Sequence, residues 1–212
     1  MKPLPFFFAC LLAVSSVRAD KVPDDLRLSA FAGPDLVPSP ACLCASADGT
    51  VYAGIDLNGS LGKGPGKGRI VRLVDSDKDG VADEHTVFAE IDNPRGLIAV
   101  GKKLYVLHTA YDEAGSSTGM DLIVLNDADG DGIADGPPEK LVEHICSATA
   151  INNRGTDHST NGIQLGIDGW IYIAIGDFGF ADAVGRDGTK LTLLGGGIVR
   201  VRPDGTEMEL YT

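Results

Sequence analysis

Three short β-forming stretches, each launched from a turn, recur along the chain and constrain the fold more than any other feature. They are DGTVYAGID (48–56), GKKLYVLHT (101–109) and DGWIYIAIGD (168–177). Each is followed by a second such stretch, namely GRIVRLVD (68–75), MDLIVLND (120–127) and GGIVRVRPDG (196–205). A third trails each pair: HTVFAEI (85–91), EKLVEHI (139–145) and EMELYT (207–212). Ile70 and Ile123 hold equivalent places 53 residues apart, and Ile198 follows 75 residues later because a longer segment intervenes. Short β-rich runs bounded by Gly, Asp and Asn predict antiparallel strands, and a repeat of this length predicts propeller blades. No long segment has a 3.6-residue apolar period, so the expectation is an all-β β-propeller with little helix. Three units cannot close a ring, which leads to the expectation of a partial propeller, a piece of a longer chain. An open stack of three sheets is the alternative.

The opening MKPLPFFFACLLAVSSVRAD has one lysine, an apolar run from Leu4 to Val14 and the small-residue pattern Val17-Arg18-Ala19. That order predicts a signal peptide over residues 1–19, export to the periplasm or cell exterior, and a domain over 20–212. An uncleaved anchor or a buried helix is the alternative. No later segment is long and apolar enough for a membrane-spanning helix. The net charge of −12 argues against nucleic acid and anionic lipid as partners. Cys42, Cys44 and Cys146 would remain after cleavage. Cys42 and Cys44 are two apart on a predicted strand and share a face. A bridge from either to Cys146 and three buried thiols both fit the sequence.

Much of the acid is concentrated in two loops, DSDKDGVAD (75–83) and DADGDGIAD (127–135), at the same place in the first and second units. Both read D-x-D-x-D-G-x-x-D. Four crowded carboxylates repel one another unless a cation joins them, and a glycine turn can wrap hard oxygens around calcium. The predicted ligands are Asp75, Asp77, Asp79, Asp83 and the Val81 carbonyl, then Asp127, Asp129, Asp131, Asp135 and the Ile133 carbonyl. The Val81 and Ile133 side chains are expected to pack inward. The loops lack the position-12 glutamate of an EF-hand, so structural calcium is the expectation. The plainer alternative is a pair of polar hairpin turns.

The segment CSATAINNRGTDHSTNG (146–162) is the longest stretch between predicted strands, and such loops carry function on repeat scaffolds. His158 lies here, just before a strand, and Asp177 closes the following one. If the next loop folds back, the carboxylate can orient the imidazole as a general base. A turn-capping histidine is the alternative. Arg154 and Asn161 are candidates to hold a ligand. Arg95 in NPRGL (93–97) either enters the central funnel or satisfies backbone carbonyls between blades, and the second is favoured. His108 either lines the same end or is packed. Trp170 is expected to pack. LNGSLGKGPGKGRI (57–70) lacks the phosphate-loop signature and is expected to hold a flexible hairpin loop over 62–67.

The run His158, Gly162, Leu165, Gly166, Asp168-Gly169, Ile171-Tyr172 and Gly176-Asp177 resembles the histidine-bearing strand of soluble quinoprotein sugar dehydrogenases. Those are six-bladed propellers that bind pyrroloquinoline quinone and calcium and oxidise sugar hydroxyls. Residues 22–212 resemble more closely the N-terminal propeller of large secreted proteins of planctomycete-type bacteria, generally described as membrane-bound dehydrogenases. Many of those continue into helical repeats and a cytochrome c domain. The resemblance implies about three blades of a six-bladed quinoprotein-type ring. It also implies oxidation of a sugar or other alcohol by the complete protein, with His158 as base, Asp177 as its support and Asp56 as a cofactor contact beside Arg154 and Asn161. The chain departs from the pattern at Ile163-Gln164, where the dehydrogenases carry a basic residue, and it has no C-x-x-C-H motif. A non-catalytic, calcium-stabilised propeller for glycan or protein binding is the second expectation.

Overall fold

The computed structural model describes residues 23–61 and 64–212. The expected signal peptide therefore lies outside the described residues, as do two positions of the predicted flexible loop. The strands form three antiparallel sheets. The first runs β1 (Pro40–Ala45), β2 (Val51–Asp56), β3 (Gly68–Val74) and β4 (Glu84–Ala89) in simple order. The second takes β5 (Gly96–Val100), β6 (Lys103–Tyr111), β7 (Ser117–Asn126) and β8 (Glu139–Glu143) in the same meander. The third is built from β9 (Thr160–Leu165), β10 (Ile171–Ile175), β13 (Gly197–Val201) and β14 (Glu209–Leu210).

Period-two alternation decides how the sheets stack. On β6, Leu104 and Val106 point towards the first sheet and pack with Ile70, Phe88, Ile123 and Leu125. Tyr105 and Leu107 point the other way and join Ile171, Ile173, Val199 and Val201 of the third sheet. The second sheet is thus apolar on both faces and lies between the other two. Cys42 and Cys44 share a face, as their spacing predicts, and pack into the core between the first two sheets. Both remain thiols, as does Cys146, so no bridge forms among the described cysteines. The far face of the first sheet is covered by the segment holding Phe31, Leu36 and Val37.

Two features were not anticipated. The predicted loop at 146–162 contains a helix, α1 (Ala148–Arg154), capped by Ser147, whose Oγ accepts the Ala150 N–H. Asn152 pins it to β7 by accepting the Ser117 N–H (2.8 Å) and donating to the Ser117 carbonyl (3.0 Å). The second is a hairpin, β11 (Phe180–Gly185) and β12 (Lys190–Leu193), inserted between β10 and β13. It leaves the third sheet and pairs β11 with β8, extending the second sheet to six strands. Phe180 and Ala183, both fully buried, join the core there. The innermost strands β1, β5 and β9 stand side by side and line an open axial cavity of about 660 Å³. Stacked four-strand meanders around such an axis make a β-propeller-like fold.

Candidate functional site

Antiparallel meanders sort the connections onto two ends. The β2–β3, β4–β5, β6–β7, β8–β9 and β10–β11 connections share one end, which holds Asp56, Arg95, Arg154, His158, Asn161 and Asp177. The β3–β4 and β7–β8 connections, with both acidic loops, lie at the other.

At the first end the register of β9 with β10, Thr160 opposite Ile175, brings the residues just beyond each strand together. The loop does fold back: His158 Nδ1 lies 2.7 Å from Asp177 Oδ1. The turn is tight because Gly176 donates its N–H to Ser159 (2.9 Å) and Phe178 donates to His158 (3.3 Å). A side chain at Gly176 would collide with the carbonyls of His158 and Ser159. The His158 bond, first among several contacts, holds the Asp177 carboxyl below its ordinary range. An ionised Asp177 can only accept, so Nδ1 carries a proton, and in the neutral imidazole the lone pair is on Nε2. Nε2 is 3.8 Å from the Asp157 carboxylate. His158 and Asp177 are about half exposed, at 49% and 57%. Phe178 stacks on the imidazole (centroids 5.9 Å apart, 25° between planes), and Arg154 lies 4.7 Å over the phenyl centroid and 3.8 Å from Asp177. Phe178 was missed in the sequence because its role depends on the turn geometry.

Asn161 is exposed and donates to the Asp157 carbonyl at 3.2 Å, at the rim of the axial cavity. Asp56 differs from its expected role. It closes β2, not the innermost strand, and is 1% exposed. Its carboxylate accepts from Asn93 Nδ2 (2.5 Å), Arg95 Nη2 (3.2 Å) and the Asn58 N–H (2.9 Å). Arg95 also donates to the Gly59 carbonyl (3.2 Å) and Thr156 Oγ1 (2.8 Å), tying connections of all three sheets. Burial with a paired, hydrogen-bonded partner makes Asp56–Arg95 a clasp, with no carboxylate edge left for a cofactor. Of the three side chains that the resemblance offers a quinone, Arg154 and Asn161 stand beside His158 and Asp56 does not fit.

The acidic loops repeat one geometry. Asp75 accepts the Gly80 N–H (2.9 Å) and Asp127 the Gly132 N–H (3.1 Å), with both glycines at positive φ. Carboxylate oxygens of Asp75, Asp77 and Asp83 lie within 4.8 Å of one another, as do those of Asp127, Asp129 and Asp135. Asp79 and Asp131 fall outside these trios and accept the N–H of Val81 and Ile133, each at 2.8 Å. This all-oxygen donor set fits calcium. The expectation that Val81 and Ile133 pack inward is corrected, for they are 46% and 49% exposed. The next residues turn in instead. Ala82 donates to the Phe31 carbonyl (2.8 Å) and Ala134 to the Phe88 carbonyl (2.9 Å), and their methyl groups join the cores. Trp170 is 8% exposed beneath the guanidinium groups of Arg200 and Arg202, in the packing role expected of it.

No curated protein matches the chain. Among solved structures, a Thermus thermophilus protein assigned as an oxidoreductase (glucose dehydrogenase) shares the fold, with a TM-score of 0.51 and 19% identity. The match covers 80% of this chain and 46% of that one, so the chain spans about half its length. Hydrazine synthase of Kuenenia stuttgartiensis (TM-score 0.37, 17% identity, 65% of this chain and 40% of that one) is too distant to inform the reading. So is a Trypanosoma rangeli sialidase (TM-score 0.39, 10% identity, 85% of this chain and 35% of that one). The family described as a domain of unknown function (DUF7133) matches residues 14–212, and the chain belongs to it.

Proposed function

We propose that the chain is a dehydrogenase-like propeller module, exported to the periplasm or cell exterior, that contributes a general base to the oxidation of a sugar or other alcohol. The observation that carries this reading is the 2.7 Å bond from His158 Nδ1 to Asp177, which leaves Nε2 of the neutral imidazole as a basic lone pair at the same end as Asn161, a lining residue of the axial cavity. The fold shared with the Thermus protein supports it. His158 takes the hydroxyl proton of the substrate at Nε2. Asp177 fixes the tautomer and stabilises the imidazolium. Pyrroloquinoline quinone, when bound, would accept the hydride released as the alcohol carbon becomes a carbonyl. A six-bladed ring, calcium in both acidic loops, and helical-repeat and cytochrome c domains as electron-accepting partners belong to the same proposal.

The test uses the complete gene product with added pyrroloquinoline quinone and calcium, following dye reduction across a panel of sugars and alcohols. His158→Ala is expected to lower kcat by about 100-fold or more, with KM nearly unchanged. Absence of both quinone binding and dye reduction would overturn the reading. A second reading, a non-catalytic calcium-stabilised propeller for glycan or protein binding, is favoured by the paired acidic trios, which need no chemistry at the other end. It predicts calcium-dependent stability without turnover.

A further inference from the structure

A second polar cleft, of about 400 Å³, opens between the first and second sheets. His108 of β6 lines it, with Asp121 directly opposite on β7 and Lys140 on β8. Leu104, Val106, Ile123 and Leu125 on the same face are apolar and make the core against the first sheet. At the next positions on that face, 108 and 121, the chain carries a polar pair, at the desolvation cost of burying it.

The groups in the cleft are arranged by sign. Asp121 is 2% exposed, accepts the His144 N–H at 3.1 Å and pairs with Lys140 at 3.3 Å. Lys140 also reaches Glu143 at 2.6 Å, so its charge is matched before any ligand arrives. His108 Nδ1 lies 3.0 Å from the Thr109 carbonyl. A carbonyl only accepts, so Nδ1 carries the hydrogen and Nε2 is left as an acceptor. Burial, the largest influence on it, pushes the imidazole pKa down, which keeps it neutral near pH 7. Among the described residues no protein group bonds to Nε2. The cleft therefore offers an imidazole lone pair, a carboxylate and an ammonium side by side, flanked by Glu90 and by the apolar surfaces of Tyr111 and Pro138.

That combination selects a ligand class. An anion would meet several carboxylates with a single, already paired lysine. An apolar ligand would strip water from His108 and Asp121 without replacing it. A hydroxyl both donates and accepts, so neighbouring hydroxyls can give to Nε2 and Asp121 while accepting from Lys140, and the C–H face of a sugar ring suits the Tyr111 ring, which lines the same cleft.

We propose that this cleft binds a neutral mono- or disaccharide, at a site separate from the His158–Asp177 pair. The site does not depend on the His158 reading. Saturation-transfer NMR on the full chain carrying His158→Ala, with glucose, N-acetylglucosamine and cellobiose as probes and gluconate as the anionic control, tests it. The neutral sugars should give a signal in that background and gluconate none. Adding His108→Gln should weaken binding at least tenfold, and Glu90→Gln, at a loop position that the fold tolerates more readily, should weaken it less. In unmutated protein the His108 Nε2 resonance should shift on adding the sugar. No sugar binding to the His158→Ala chain, equal binding after His108→Gln in a folded protein, or preference for gluconate would each overturn the proposal.

Discussion

His158 earns its place from what surrounds it. A strand register and a glycine turn bring Asp177 within 2.7 Å of Nδ1, Phe178 stacks on the half-exposed imidazole, and Arg154 lies over the Phe178 ring. Asp177 gives the most direct check, because its carboxyl titrates below the ordinary carboxylate range chiefly through the His158 bond. A depressed carboxylate favours the folded pair above its unfolded pKa, and that contribution disappears as pH falls through the lowered value. Carbon-detected NMR titration of the Asp177 carboxyl should find it below the usual range of about 4 in the native protein. In His158→Ala it should return towards that range, and an unchanged midpoint would show that the bond does not form in solution. The sequence placed both residues correctly as neighbours of strands, but it could not show that they meet, because the contact spans β9, β10 and the turn after them. For Asp56 the residue type was visible and the environment was not. A carboxylate at a strand end reads the same whether it faces solvent or is held, as here, by Asn93 and Arg95.

The acidic loops were the most legible elements, since D-x-D-x-D-G-x-x-D forces its own turn through Gly80 and Gly132 at positive φ whatever lies around it. What the pattern did not reveal was which hydrophobic residue turns inward, for Val81 and Ala82 differ by one step along a loop with no fixed period. If the trios of Asp75, Asp77 and Asp83 and of Asp127, Asp129 and Asp135 hold calcium, they hold it only in the folded chain. At a free calcium concentration 100 times the dissociation constant each site adds about 2.7 kcal/mol. Calorimetry should therefore show a melting temperature lower in excess chelator by about 5–10 °C for each emptied site, at about 2–4 °C per kcal/mol for a domain of this size. Asp75→Asn combined with Asp127→Asn should remove most of the difference, and identical curves with calcium and with chelator would exclude a structural ion. The β11–β12 hairpin was the least legible element. Its residues form strands by pairing with β8, an edge far away in sequence, and Phe180 gains its burial from another sheet. Local pattern carries no information about such a crossing.

Three stacked sheets put unequal protection on the two sides of the molecule. The second sheet is covered on both faces, and Val106, Leu107, Met120 and Leu122 are fully buried. The first keeps its far face covered by the segment around Phe31 and Leu36. The far face of the third carries Tyr172, Ala174, Ile198 and Arg200, all partly or fully exposed, and its last strand, β14, is two residues long. Repeats that touch only their neighbours have stability summed from local and interface contributions, so opening should begin where an interface is missing. Native-state amide exchange is expected to be slowest at Leu104–Leu107 and Leu122–Leu125, intermediate in β2 and β3, and fastest in β12 and β14. The ordering discriminates between two pictures. If the sheets act as one cooperative unit, the slowest amides of all three will exchange at a common rate set by global unfolding. If each sheet depends on its neighbour, Ile171, Ile173, Val199 and Val201 should exchange faster than β6 although their side chains are as deeply buried, because their sheet is supported on one face and β6 on two. Equal rates for β10 and β6 would rule out the neighbour-by-neighbour picture. They would also mean that the hairpin crossing from the third sheet to β8, with the Arg186–Glu139 pair at 3.1 Å, welds the second and third sheets into a single folding unit.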